Sequence, residues 1–298
     1  MINNTNSLKY LNKKKTIFLL GENNKRFPIL LTNPHSGRDY SLYDNNIKHN
    51  LKKLRKMEDT YIDALLSNLD NNGFKVLSTT TPRVFLDLNR HQKEIDKELF
   101  FNCDAKDIKE TRNLKSGYGL FFSKNHNQEP IYKKKLDWNS YRKKIDEEYI
   151  IFHNTIEEFI NFEKGRNNNF YLIDFHSMPS NLNGYQSSVP EICIGDNLGK
   201  SSSVHFTKFI CDRFKDKGFI VARNAPFSGG YITQNYGSPI QGIFSIQIEI
   251  RKDLYLNEKN LTLNENFFEI KNKIFEICEE LKNYIELNAS YFDKKRIA

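Results

Sequence analysis

Apolar and polar positions along this chain fall into blocks whose spacing switches between about two and about 3.6 residues, the signatures of strand and helix. "FPILLTNP" (27–34) is a short apolar run closed by Pro34 and predicts a strand. "LKKLRKMEDTYIDALLSNLDNNG" (51–73) sets Leu54, Tyr61, Leu65 and Leu69 near helical spacing and stops at Gly73, predicting one helix. "FKVLSTT" and "RVFLDL" predict strands. "YRKKIDEEYIIFHNTIEEFINFEKG" (141–165) predicts a long amphipathic helix with Ile145, Tyr149, Phe152, Ile156 and Phe159 in one stripe. "FYLIDFH" and "EICIGD" then predict strands, and "SSSVHFTKFICDRFKDKG" predicts a helix with Ser201 or Ser202 as its N-cap. "FIVARN" and the strictly alternating "IFSIQIEIR" (243–251) are further strands, and "NENFFEIKNKIFEICEELKNYIEL" is a closing helix.

Strands separated by helices imply an α/β fold with a mixed central sheet covered on both faces. No repeat and no Gly/Ser/Pro-rich linker divides the chain, so residues 1–298 are expected to form one domain. In such sheets chemistry gathers beyond the carboxyl ends of the strands.

Four predicted strand ends carry residues that a plain core would not select. His35 lies in the turn "NPHSGRDY"; Asp87 and Asn89 share a face in "DLNRHQ", with Arg90 next. Asp174 and His176 share a face in "YLIDFHSMPS", where period two sends alternate side chains the same way. In "IFSIQIEIR", Phe244, Ile246, Ile248 and Ile250 take one face and Gln247, Glu249 and Arg251 the other. Each has a plain explanation: a capping histidine, a turn asparagine, the solvated face of an edge strand. Asp174 and His176 resist it, because ionisable groups within apolar runs are costly to bury unless paired or metal-bound. One site lined by all four strand ends accounts for them together.

The chemistry that fits is a mononuclear zinc hydrolase, whose metal takes three nitrogen or oxygen ligands and keeps one position open. His35 and His176 supply imidazoles; Asp59, in "MEDTYID", is the expected carboxylate, with Glu58 in reserve. If that segment is helical, Asp59 and Asp63 share a face. Asp174 is expected to accept the free ring N–H of a ligand histidine, and Glu249 to carry the proton during hydrolysis. Asn89 and Arg90 are expected to hold a substrate carboxylate, for which a planar guanidinium is suited, with Arg251 as a further substrate contact.

Composition narrows the partners. Cys103, Cys193, Cys211 and Cys278 form no CxxC pair, which argues against a thiolate zinc site and a disulfide scaffold and for a reducing cytoplasm. The chain carries a net charge of +8, but its basic clusters lie far apart and lack interleaved aromatics, so a small acidic substrate is expected rather than nucleic acid. No stretch approaches a membrane span, and the amino-terminal runs lack the core of a signal peptide, so a soluble protein is expected.

Taken in order, "NPHSGRDY", "EDTYID", "TPRVFLDLNR" with "EIDKELF", "LIDFHSMPS", "EICIGD", "GGYITQNYG" and "IQIEIRKDLYLNE" resemble the N-formylglutamate amidohydrolase family over most of the chain. The resemblance implies a three-layer α/β/α, zinc-peptidase-like (phosphorylase/hydrolase-like) fold, related to carboxypeptidases and aspartoacylases. It implies hydrolysis of N-formyl-L-glutamate to formate and L-glutamate, a closing step of histidine breakdown. By position it implies His35, Asp59 and His176 as zinc ligands, Glu249 as general base, Asn89 and Arg90 as the carboxylate-binding pair, and Tyr231 on a mobile loop over the pocket. Three positions depart from the pattern: Asn235 and Ser238 stand where members often have His and Arg, and Phe244 where many have His. The alternatives are a carboxypeptidase-like zinc hydrolase of short peptides or cell-wall fragments, and a non-catalytic module that binds an acidic metabolite. The oligomeric state is open.

Overall fold

The computed structural model describes residues 8–21, 27–167, 169–182, 185 and 188–296. Among them, eight strands form one mixed sheet: β1 (Leu8–Tyr10), β2 (Ile17–Leu20), β3 (Ile29–Asn33), β4 (Val76–Thr79), β5 (Phe170–Met178), β6 (Ile192–Gly195), β7 (Val221–Arg223) and β8 (Ile243–Arg251). Their order across the sheet is β1-β2-β4-β3-β5-β8-β6-β7. The four central strands, β4, β3, β5 and β8, run parallel to one another, so their carboxyl ends share one edge. β2 and β6 flank them antiparallel.

The helices are α1 (Leu51–Arg55), α2 (Ile62–Leu65), α3 (Arg112–Lys115), α4 (Trp138–Lys144), α5 (Ile150–Lys164), α6 (Val204–Asp216), α7 (Tyr231–Tyr236) and α8 (Phe267–Arg296). A π turn over Ile145–Tyr149 joins α4 to α5, so the predicted long helix is continuous but underwound at its middle. No helix of the described residues is long and apolar enough to cross a membrane.

Two large apolar clusters pack on opposite faces of the sheet. One takes Ile29, Leu31, Tyr171, Ile173, Phe175, Ile246, Ile248 and Ile250 from the strands, against α2, α6 and α8. The other takes Leu30, Leu77, Phe170, Leu172 and Ile243, against α4, α5 and α7. On this second face the apolar side chains stop halfway along the strands. Thr32, Asp174, His176, Gln247 and Glu249 continue it toward the carboxyl ends, all buried. The sheet face therefore changes from core to polar within single strands.

Three local expectations need correction. Residues 51–73 do not form one helix: the chain bends between α1 and α2, where Tyr61 takes a left-handed backbone conformation (φ 65°). The bend turns Glu58, Asp59 and Thr60 inward, so Asp59 and Asp63 share no helix face; Asp63 instead pairs with Arg38 (2.9 and 2.6 Å). "RVFLDL" is no strand but a turn-rich segment begun by Pro82, whose carbonyl accepts the N–H groups of Phe85 and Leu86. Its apolar residues are buried on a folded loop, which period two cannot distinguish from a strand. The cap of α6 is Ser203, which accepts the N–H of Phe206, rather than Ser201 or Ser202.

Candidate active site

Past the carboxyl ends of the parallel strands lies a cavity of about 580 Å³. His35 enters it from the turn two residues after β3. The backbone N–H of Asp59 donates to the carbonyl of His35 (3.1 Å), clasping the α1–α2 bend onto that turn. His176 comes from β5, and Glu249 lies opposite it in register on β8.

The three groups expected at a metal meet here. Asp59 Oδ2 lies 3.2 Å from Nδ1 of His35 and 2.8 Å from Nδ1 of His176, and one donor atom from each residue lies within 4.8 Å of the others. The remaining ring nitrogens face away, each toward its own buried carboxylate. Nε2 of His35 is 2.7 Å from Asp87 Oδ1, and Nε2 of His176 is 2.7 Å from Asp174 Oδ2. With an ion in place, a carboxylate behind each imidazole would fix the tautomer with Nε2–H outward and direct the Nδ1 lone pair inward. Asp174 is itself held by Thr32 (2.6 Å) and by the Asn89 amide (3.1 Å). Glu58 stays outside the cluster, accepting from Tyr40 (2.6 Å).

Electrostatics follow this geometry. Burial disfavours an ionised Asp59, yet hydrogen bonds from His176 and His35 hold its pKa well below the usual carboxylate range. Burial likewise opposes charge on His176, while Asp174 and then Asp59 hold its pKa well above the usual histidine value. Burial pushes the Glu249 carboxyl up to about 7, against the pull of His176. Gln247 donates to Glu249 Oε1 (2.7 Å) and accepts the N–H of Gly230 (2.6 Å), tying the carboxylate to the start of α7.

Two imidazole nitrogens and a carboxylate oxygen, buried and supported from behind, fit a divalent ion of zinc type with room for a further ligand.

Other expected residues fall in different places. Asn89 lines the cavity, but its amide is occupied: Oδ1 accepts the N–H of Ile232 (2.7 Å) and Nδ2 donates to Asp174. Arg90 also lines it, donating to the carbonyls of Tyr118 (2.8 Å) and Asn89 (2.9 Å). Tyr231 and Arg251 are absent from the wall. Tyr231 is the first residue of α7 and packs edge-on against His91 and His153. Arg251 points out of the sheet to the carbonyl of Val189 (2.8 Å) and to Asp253 (2.7 Å). Asn235, Ser238 and Phe244, the departures from the pattern, also lie off the wall; Phe244 packs on Tyr171 and Phe206.

Sequence reasoning missed Arg83 and Lys252, both on the wall. Arg83 donates to Asp87 Oδ2 (2.9 Å) and lies 3.7 Å from Asp59 Oδ1. The spacing of Arg83 and Asp87, four apart, was the available signal. Lys252 donates to the carbonyl of Glu58 (2.6 Å), bracing the bend that delivers Asp59.

Comparison with known proteins agrees with this architecture. The family model described as N-formylglutamate amidohydrolase matches residues 27–256. An N-formylglutamate deformylase of Pseudomonas aeruginosa is 24% identical over 243 residues, covering 78% of this chain and 84% of that protein. The crystal structure of an N-formylglutamate amidohydrolase from Ralstonia eutropha superposes with a TM-score of 0.85 at 26% identity, covering 92% of this chain and 99% of that one. A gene product of Agrobacterium tumefaciens shares the fold at a TM-score of 0.54 and 17% identity, covering 93% of this chain and 100% of its own. With the family model spanning most of its length, the chain belongs to the N-formylglutamate amidohydrolase family.

Proposed function

We propose that the chain is a zinc-dependent deformylase that hydrolyses N-formyl-L-glutamate, or a closely related short N-acyl amino acid, to formate and L-glutamate. The observation that carries this reading is the convergence of His35, Asp59 and His176, each imidazole backed by a carboxylate, beside a buried Glu249. Family membership and the named activity of the Pseudomonas aeruginosa relative supply the substrate.

In this reading His35, His176 and Asp59 would hold the ion. Zinc bound there would supply Lewis acidity toward water and toward the formyl carbonyl. Glu249 accepts a proton on its carboxylate from the attacking water and returns it to the leaving amine nitrogen. A pKa near 7 suits both halves of that exchange. The amide C–N bond breaks, the water oxygen stays with formate and the proton goes to glutamate. Arg90 spends two of its five N–H donors on backbone carbonyls and sets Nη2 3.9 Å from Asp87 Oδ2; the donors that remain would take a substrate carboxylate, while Asn89 orients rather than binds.

The test is formate release from N-formyl-L-glutamate by the purified protein, abolished by a chelator and restored by zinc. A zinc-loaded protein that releases no formate would refute the reading.

A further inference from the structure

The cavity wall is rich in cations, and most of them are already engaged. Arg83 serves Asp87 and Asp59, Lys252 serves the Glu58 carbonyl, and Arg90 is partly committed to two backbone carbonyls. Arg112, on α3, lines the same cavity, is exposed, and makes no ion pair or side-chain hydrogen bond among the described residues. A free guanidinium facing a site of this kind is a receptor for a second anion.

Its placement is built rather than incidental. α3 is only four residues long, yet it is fastened to the segment that carries Asp87, Asn89 and Arg90. Its N-cap Thr111 donates to Glu94, a buried carboxylate that also accepts the N–H of His91 (2.9 Å). The Tyr118 carbonyl that holds Arg90 follows α3 closely, and the Glu94 carbonyl accepts the N–H of Leu120 (2.7 Å). One frame thus holds the half-buried Arg90 and the exposed Arg112 on the same wall.

We propose that Arg112 is a specificity-determining residue that binds the distal carboxylate of a dicarboxylic N-acyl amino acid, while Arg90 takes the carboxylate nearer the reacting amide. The proposal rests on the deformylase reading above and names what selects glutamate within it. Lys56 is the other exposed cation on the wall. It is the weaker receptor, because a flexible point charge lacks the bidentate fork and has no comparable frame.

The experiment compares kcat/KM for N-formyl-L-glutamate and N-formyl-L-glutamine, which differ by one negative charge at nearly constant shape, in the zinc-loaded wild type and in R112A, R112K and K56A. The wild type is expected to prefer the glutamate compound. R112A should lose roughly 10- to 100-fold on it, chiefly through KM, with little change on the glutamine compound. R112K should recover part of the loss. Circular dichroism checks that R112A keeps the fold, as an exposed position should. Equal losses on both substrates, a preference left intact in R112A, or a preference erased by K56A would each overturn the assignment. Equal wild-type efficiency on both would overturn it alone, whereas no formate from either substrate would overturn the deformylase reading together with it.

Discussion

Asp87 Oδ1 stands 2.7 Å from Nε2 of His35 and also accepts the backbone N–H of Asn89 (2.8 Å), while Oδ2 takes the Arg83 guanidinium (2.9 Å). One buried carboxylate thereby orients an imidazole of the proposed metal site, shapes the loop that carries Asn89, and neutralises an arginine. Burial opposes its charge, but His35 and Arg83 hold its pKa well below the usual carboxylate range. Asp87→Asn keeps the size and removes the charge. It is expected to weaken zinc binding by roughly 10- to 100-fold, the usual cost of losing such a partner. Competition against a metal-binding dye measures this; unchanged affinity would mean His35 needs no orienting group.

Glu249→Gln preserves the hydrogen-bonding shape beside Gln247 while removing the proton carrier. Turnover of N-formyl-L-glutamate should fall by about 10²- to 10⁴-fold, with zinc content equal to wild type by elemental analysis. Loss of the metal along with the activity would show instead that Glu249 helps to hold the ion.

A methyl group at Gly230 would come within 2.4 Å of the Asn89 amide nitrogen. That amide joins Asp174 to the first turn of α7, so the clash is transmitted to the support of His176. Gly230→Ala is expected to cost about 1–3 kcal/mol in urea unfolding, as overpacking does. The larger effect should be on activity, with kcat/KM down by at least about tenfold. A variant with wild-type activity would show that Asn89 tolerates displacement.

His153 is buried between α5 and α7, its ring nitrogens 2.8 Å from the Tyr236 hydroxyl and 2.9 Å from the Leu88 carbonyl. Tyr149 and Tyr231 pack on it, and His91 is the titratable neighbour whose protonation would add to the effect of burial. Burial lowers its pKa to about 4. Because the folded state then binds fewer protons than the unfolded chain, its contribution is complete above the unfolded value near 6.5. It is lost as pH falls from there toward 4. Roughly 3 kcal/mol is at stake over that window. Unfolding free energies measured from pH 7 to 4 should slope less steeply in His153→Phe than in wild type; identical slopes would assign the acid sensitivity elsewhere.

Six of the eight strands of the sheet were legible from their apolar runs, and the polar intrusions at their ends marked where the site lies; β1 and β2, short and set among Lys and Asn, were not predicted. The parallel register then does the rest, setting Glu249 opposite His176. The loops were not legible. Nothing local in "KMEDTYID" announces the bend at Tyr61, since no glycine or proline marks it; tertiary contacts impose it, including Tyr255 donating to the Thr60 carbonyl (2.9 Å) and Lys252 to that of Glu58. Arg83 and Lys252 escaped notice for the same reason, because each works on a partner supplied by folding. Tyr231 and Arg251 show the converse. Position beside a site in the chain does not settle which way a side chain turns.

The sheet face that turns from apolar to polar midway has a thermal consequence. Thr32, Asp174, His176, Gln247 and Glu249 occupy positions where aliphatic groups would pack, so this half of the face adds little cohesion by itself. Under the proposed occupancy the ion supplies what packing does not: at a hundredfold excess over its dissociation constant a bound ligand adds about 2.7 kcal/mol. The melting temperature then becomes a gauge of zinc supply, and a chain starved of metal would be lost to heat or proteolysis well before its sheet had any intrinsic reason to fail.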